Sequence, residues 1–209
     1  MADTYREKRL KATVAAFSIL TAALTVTPPT YALAGGEIVE RVETYSISGR
    51  TGIELYRSIG ERGPKSGVGR AIAHTTFKLT WRRDYRPQGA SCTLVSAVPR
   101  LIITYTLPKP SNPLPPETKK RWETFIDGIK RHEEVHGVHM KEMVAEIEAN
   151  TIGATAGNDP GCKKIRQDIQ APLGAASLRQ RQRSSEFDRV EMAEGANMHR
   201  LILGLVNGE

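Results

Sequence analysis

Residues 131–140 read "RHEEVHGVHM" and place three of the chain's five histidines within eight positions. Around them Trp122, Phe125, Ile126, Ile129, Met140, Met143 and Ile147 recur at helical spacing. That periodicity predicts one long helix from Pro116 to Asn150. A proline suits its first turn, and "GATAGNDPGC" (153–162) is rich enough in turn formers to end it. His132 and His136 fall in the middle of the apolar stripe, one above the other, because positions i and i+4 share a helix face. Two bare imidazoles are costly to bury, so an inward-facing pair asks for a partner.

His132-Glu133-Glu134-Val135-His136 fits H-E-x-x-H. Two imidazoles one turn apart can converge on a Zn²⁺ at about 2.0–2.1 Å. Glu133 lies about 100° further round the helix. It flanks the metal rather than binding it and can take a proton from water as a general base. A catalytic zinc needs a third protein ligand. His139 is nearest in sequence, but seven residues beyond His132 is about 10.5 Å along a straight helix axis. The longer H-E-x-x-H-x-x-G-x-x-H pattern is absent, since His139 stands at its glycine and Glu142 at its third histidine. Glu142 points away from His136, and Glu146 is too far along the axis. The alternative is an acid from a following helix. "EFDRVEM" (186–192) offers Asp188 and Glu191 on one face, and Phe187, Val190 and Met192 would pack that helix against the long one. Glu191 is the expected third ligand, with His139 and Asp188 as alternatives. His74, on a strand, is read as structural or cleft-lining, and His199 as a surface or tail residue.

The N-terminal side reads as an address. Arg6, Lys8, Arg9 and Lys11 precede an apolar run of 15 residues, "ATVAAFSILTAALTV" (12–26), and "ALA" (32–34) has the form of a cleavage site. Residues 1–34 are therefore expected to be a signal peptide cut near Ala34-Gly35, leaving 35–209 as a single domain, secreted or periplasmic. A membrane span needs about 20 apolar residues, so no stable span is expected after cleavage. Removing four basic and two acidic residues lowers the net charge from +7 to +5. A solvated surface accounts for that, and no nucleic-acid partner is expected. Export also predicts that Cys92 and Cys162, the only two cysteines, form a disulfide.

The rest of the chain reads as strands and helices. "EIVERVETYSISG" (37–49) alternates like a strand, and "TGIELYRSIGERG" (51–63) like a helix with Thr51 as its cap. "GERGPKSGVGR" (60–70) is a loop without the Gly-Lys-Ser/Thr ending of a phosphate loop. "AIAHTTFKLTW" (71–81) and "SCTLVSAVPRLIITYTLP" (91–108) predict strands, with "RRDYRPQGA" (82–90) as the turn between them and Pro99 dividing the second or marking an edge. A further helix is expected from Leu178 to Met192, and "ANMHRLILGLV" (196–206) as an apolar tail that docks on the core. The expected architecture is α+β: a small, mostly antiparallel sheet packed on a long helix and a final helix.

The segments "TYSISGRTGIELYRSI…GP", "AHTTFKLTW", "SCTLVSAV", "YTLP" and "W…F…HEEVH" resemble, in that order, a bacterial family of domains of unknown function described as predicted secreted zinc-dependent proteases. The likeness runs from Tyr45 to Glu191. It implies a zincin-like exported metallopeptidase acting on peptide or protein substrates, with His132 and His136 as zinc ligands and Glu133 as base. It supplies neither a substrate nor a third ligand. His139 is not part of the family pattern, which favours Glu191, with Asp188 next; a carboxylate from a following helix is how gluzincins complete their site. Two non-catalytic functions are the alternatives. One is a zinc-holding module closed by His139. The other is a cell-envelope binding protein using Arg179, Arg181, Arg183 and Arg189 on an anionic polymer.

Overall fold

The computed structural model describes residues 35–67 and 69–207. The expected leader, 1–34, lies outside them. β1 (Glu37–Ile47) runs parallel to β5 (Ser91–Pro110), from Glu37 opposite Arg100 to Ile47 opposite Pro110. β4 (His74–Gln88) pairs antiparallel with the other side of β5, and β6 (Thr155–Ala156) adds a short antiparallel pairing at Cys92 and Thr93. β5 is thus central and β4 is an edge. β2 (Lys65–Ser66) and β3 (Gly69–Arg70) form a separate two-stranded hairpin. The protein is α+β, with the small, mostly antiparallel sheet that the sequence predicts.

Three details differ from expectation. "RRDYRPQ" (82–88) continues β4, and the reversal takes place at Gly89, whose φ of +60° suits a tight hairpin. Rings here carry arginines: Arg83 lies over Trp81, just before the stretch, and the guanidinium of Arg166, from a later helix, lies 3.9 Å from the centre of Tyr85. Pro99 does not divide β5. The β1 ladder begins only at Arg100, so no partner on that side stands opposite the proline. Gly36 passes close enough that a Cβ there would meet the Pro99 ring at 2.7 Å. Finally, β5 carries a bulge. Asp84 faces Ser96 but Tyr85 faces Leu94, leaving Val95 extra. The buried set accordingly changes parity, from Cys92 and Leu94 to Ala97, Leu101, Ile103, Tyr105 and Leu107.

The helices cover that face. α1 (Gly52–Arg62) starts at Thr51, whose side chain accepts from the Glu54 amide while Glu54 reaches back, a reciprocal cap. α2 (Pro116–Thr151) matches the predicted long helix within a residue. α3 (Lys164–Asp168) is a short turn of helix, headed by Asp159, whose carboxylate accepts from the amides of Lys163 and Ile165. α4 (Gln170–Glu191) begins eight residues before the expected Leu178. Pro172 falls in its first turn, where no amide partner is lost. α5 (Asn197–Asn207) is the docked apolar tail, with Met198 and Leu205 buried. Among the described residues no helix is long and apolar enough to cross a membrane.

The core has three parts, and α2 joins two of them. Trp122, Phe125 and Ile129 pack with Leu55, Ile59, Met198 and Leu205. Met140, Met143, Val144 and Ile147 pack on Leu101, Ile103 and Tyr105 of β5 and on Ala176 of α4. Residues 132–136 lie at the junction between these two clusters. The third part, around Leu94, Ile165 and Ile169, contains the Cys92–Cys162 disulfide.

Candidate metal centre

His132 is buried, its side chain only 2% exposed, and His136 nearly so. Their Nε2 atoms face each other at 3.3 Å. Asp188 Oδ1 lies 3.1 Å from His132 Nε2 and 3.0 Å from His136 Nε2. Without an ion, the carboxylate can accept from both rings only if two N–H groups crowd together. With one, three lone pairs point at a single cation. Tetrahedral ligands at about 2.1 Å stand about 3.4 Å apart, so the observed triangle suits zinc with little adjustment. Among the described residues no other trio of His, Cys, Asp or Glu side chains gathers as closely.

The register of α4 on α2 explains why Asp188 stands there. Arg179 pairs with Glu146, Arg183 Nη1 donates to Glu142 Oε2 at 2.5 Å, and the Ser184 hydroxyl meets His139 Nδ1 at 3.1 Å. The helices run antiparallel, and four residues forward on α4 match four backward on α2. Continuing that ladder brings Phe187 and Asp188 to the turn of α2 that carries His136. Such surface ion pairs contribute at most about 1 kcal/mol each, and their value here is alignment. Phe187 stacks on His132 with ring centres 4.7 Å apart and closes one side of the triangle.

Glu191, the expected third ligand, is displaced to the other side of the ring. Its Oε2 is 3.9 Å from His132 Nδ1, a buried nitrogen with no hydrogen-bond partner. A small movement would pair them and fix the tautomer that leaves Nε2 free for a metal. Asp188 takes the apical position because it follows Phe187 on the face turned to α2. Val190 and Met192, expected to supply packing, are 52% and 60% exposed. His139 is occupied by Ser184 and stands outside the triangle. His74 opens β4 and lines the cavity that contains the triangle.

Glu133 is buried beside the histidines. Its Oε2 accepts from the hydroxyl of Thr75, on β4, at 2.5 Å. Sequence reading did not single out Thr75. Below the helix, Gly137 permits close contact with the sheet, since a Cβ there would lie 2.1 Å from the Tyr105 hydroxyl. That hydroxyl donates to Glu40 Oε2 at 2.6 Å, and Lys141 pairs with the other oxygen of Glu40. The seat of α2 beside His136 is thereby tied to β1 and β5.

The electrostatics match the geometry. Burial works to lower the basicity of His136, but the Asp188 hydrogen bond and charge, with Glu133, outweigh it and raise its pKa. Burial likewise works to raise Asp188, and its bonds to His132 and His136 hold it well below the usual carboxylate range. His139 is lowered, first by burial. Asp188 is thus held ionised against the two imidazoles, a donor set able to hold a cation.

Two cavities meet here. One of about 270 Å³ is lined by His132, Glu133, His136, Asp188, Thr75 and Ser184. The other, about 740 Å³, adjoins His132 and Glu133 from the side of α1 and α5.

A model of the family described as "Bacterial protein of unknown function (DUF922)" matches residues 42–195, well over half of the chain, and the chain belongs to that family. Neither a curated protein nor a solved structure matches it.

Proposed function

We propose that this member of the family is an exported, zincin-like zinc hydrolase that cleaves peptide bonds. The observation that carries the reading is the convergence of His132 Nε2, His136 Nε2 and Asp188 Oδ1 within 3.3 Å beside a buried glutamate. These three atoms are the proposed ligands. Zn²⁺ held by them would supply Lewis acidity, polarising a carbonyl and bringing the pKa of water toward about 7. Glu133 accepts the proton of the attacking water on the oxygen not committed to Thr75, then delivers it to the leaving amine nitrogen. Phe187 shields the histidines. Glu191, whose Oε2 accepts from Asn197 Nδ2 at 2.8 Å, would orient His132 once it closed the 3.9 Å to Nδ1. The free edge of β4, whose first residues line the smaller cavity, suits an extended peptide bound by strand addition. The disulfide supports the exported part of the reading.

The non-catalytic alternatives gain less support. His139 would have to leave Ser184 to close a structural site. Arg179, Arg183 and Arg189 are already paired with Glu146, Glu142 and Glu186, which weakens an anionic-polymer surface.

The test combines zinc content with turnover of a mixed quenched-peptide pool. Wild type should carry one zinc per chain, and His132→Ala, His136→Ala and Asp188→Ala should lose it. Glu191→Ala should keep zinc at about 10- to 100-fold lower affinity. Glu133→Gln should keep the metal and lose hydrolysis. Stoichiometric zinc in the histidine variants, or full hydrolysis by Glu133→Gln, would overturn the reading.

A further inference from the structure

The larger cavity is not needed to hold a metal, yet it opens onto the same two residues. Its volume of about 740 Å³ is that of a ligand pocket rather than a packing defect. Tyr56 of α1, Ile72 before β4, Ile129 of α2, and Met198 and Ile202 of α5 line it. Besides Glu133, its charged lining groups are one arginine, Arg70, and one glutamate, Glu194. They are of opposite sign, and Arg70 already donates to the Gly63 carbonyl. With Glu133 counted, two acids face one arginine, so the cavity disfavours an acidic group, and its wall is mostly apolar. His199 also lines it and is less idle than a tail residue. Its Nδ1 accepts the Gly195 amide at 2.7 Å, so in the neutral ring the proton sits on Nε2, a donor for a carbonyl.

The two cavities share His132, Glu133, Ala71, Ala73, Ser66 and Met192. An extended peptide with its reacting carbonyl at the His132–His136–Asp188 triangle must therefore place a neighbouring residue against Glu133 and into the larger space. We infer that this cavity is the specificity pocket of the site and takes a large apolar side chain, such as leucine, phenylalanine or methionine, on the residue flanking the bond cut. The inference rests on the proposed peptidase function for its register, but its ligand chemistry follows from the cavity alone.

Both parts can be read separately. The metal-free full chain, with ¹³C-labelled isoleucine and methionine methyls, is titrated with N-acetyl-leucinamide, N-acetyl-phenylalaninamide and N-acetyl-aspartamide. The methyl signals of Ile72, Ile129, Met198 and Ile202 should move with the first two and not with the third. In Ile202→Glu the leucine response should disappear, and Ile202→Val, which keeps the wall apolar, should retain it. With zinc loaded, peptides carrying leucine or phenylalanine beside the cut should be hydrolysed with kcat/KM on the order of 10-fold or more above those carrying aspartate. Methyl shifts without hydrolysis of any peptide would leave the pocket standing and remove the peptidase reading. Hydrolysis with no apolar preference, together with unmoved methyls in wild type, would overturn the pocket and spare the peptidase. Wild-type titration alone decides the pocket, so a misfolded variant does not blunt the test.

Discussion

Glu133 depends on a residue 58 positions away in sequence, because the Thr75 hydroxyl holds one of its carboxylate oxygens. A buried carboxylate that loses a donor is less well held, and hydrogen bonds to charged groups contribute about 1.5–3 kcal/mol. Thr75→Val should therefore lower kcat on the order of ten- to a hundredfold with KM little changed, while Thr75→Ser restores most of it. Steady-state kinetics on the zinc-loaded pair checks this, and equal kcat for wild type and Thr75→Val would remove Thr75 from the site. The histidine pair and Glu133 could be located from sequence because i, i+4 spacing and an apolar stripe are local features. The acid at the apex could not. Choosing between Asp188 and Glu191 needs the angular register of α4 on α2, which no periodicity within one helix encodes. A signal did exist in the pairing of two ladders, Arg179 and Arg183 against Glu146 and Glu142, whose matching four-residue steps align the helices.

At the scale of elements, α2 is seated by what lies beneath Gly137. Tyr105, Glu40 and Lys141 link β5, β1 and the helix. Burial pushes the Glu40 carboxyl up, but its bonds with Lys141 and Tyr105 prevail and leave its pKa below the ordinary 4.5. A carboxyl with a depressed folded-state pKa contributes stability above its unfolded value and loses it as pH falls through the folded one. Glu40→Gln should thus unfold at lower urea than wild type at pH 7, and at acid pH the gap should close as the wild-type carboxyl also becomes neutral. Glu40 is partly exposed, so the gap should be under about 1 kcal/mol. An equal gap at both pH values would show that shape rather than charge holds the joint. Sequence patterns found α1, α2 and β1 nearly to the residue, because caps, prolines and alternation are local. They missed the length of β4 because "RRDYR" (82–86) reads as solvent-loving, whereas Trp81 and Tyr85 supply ring faces on which arginines lie. They misjudged Pro99 because whether a proline interrupts a sheet depends on where the neighbouring strand begins.

At the scale of the molecule, the α+β class followed from the order of periodicities, and the Cys92–Cys162 pairing from the count of cysteines and the inferred export. The bridge closes a separation of 70 residues, for which chain entropy gives about 4 kcal/mol. Replacing both cysteines by serine should lower the unfolding free energy by roughly that amount, read from urea midpoints. An unchanged midpoint would mean that the core around Leu94 and Ile165 suffices unaided. The bridge also bears on α4. It fastens the segment leading into that helix to β5, while Asp188, near the other end, meets the histidines of α2. The segment ahead of one helix is thus held by a covalent bond and the tail of that helix by the proposed ion. Equilibria that share a helix in this way are linked, and linkage is reciprocal. Whatever factor the oxidised cysteines add to zinc affinity, zinc must add to their resistance to reduction. Zinc titrations of oxidised and reduced protein, set beside thiol–disulfide equilibria with and without zinc, should return the same ratio, greater than one. A chain that has not yet closed its bridge would then hold its metal more loosely, so that oxidation itself arms the site.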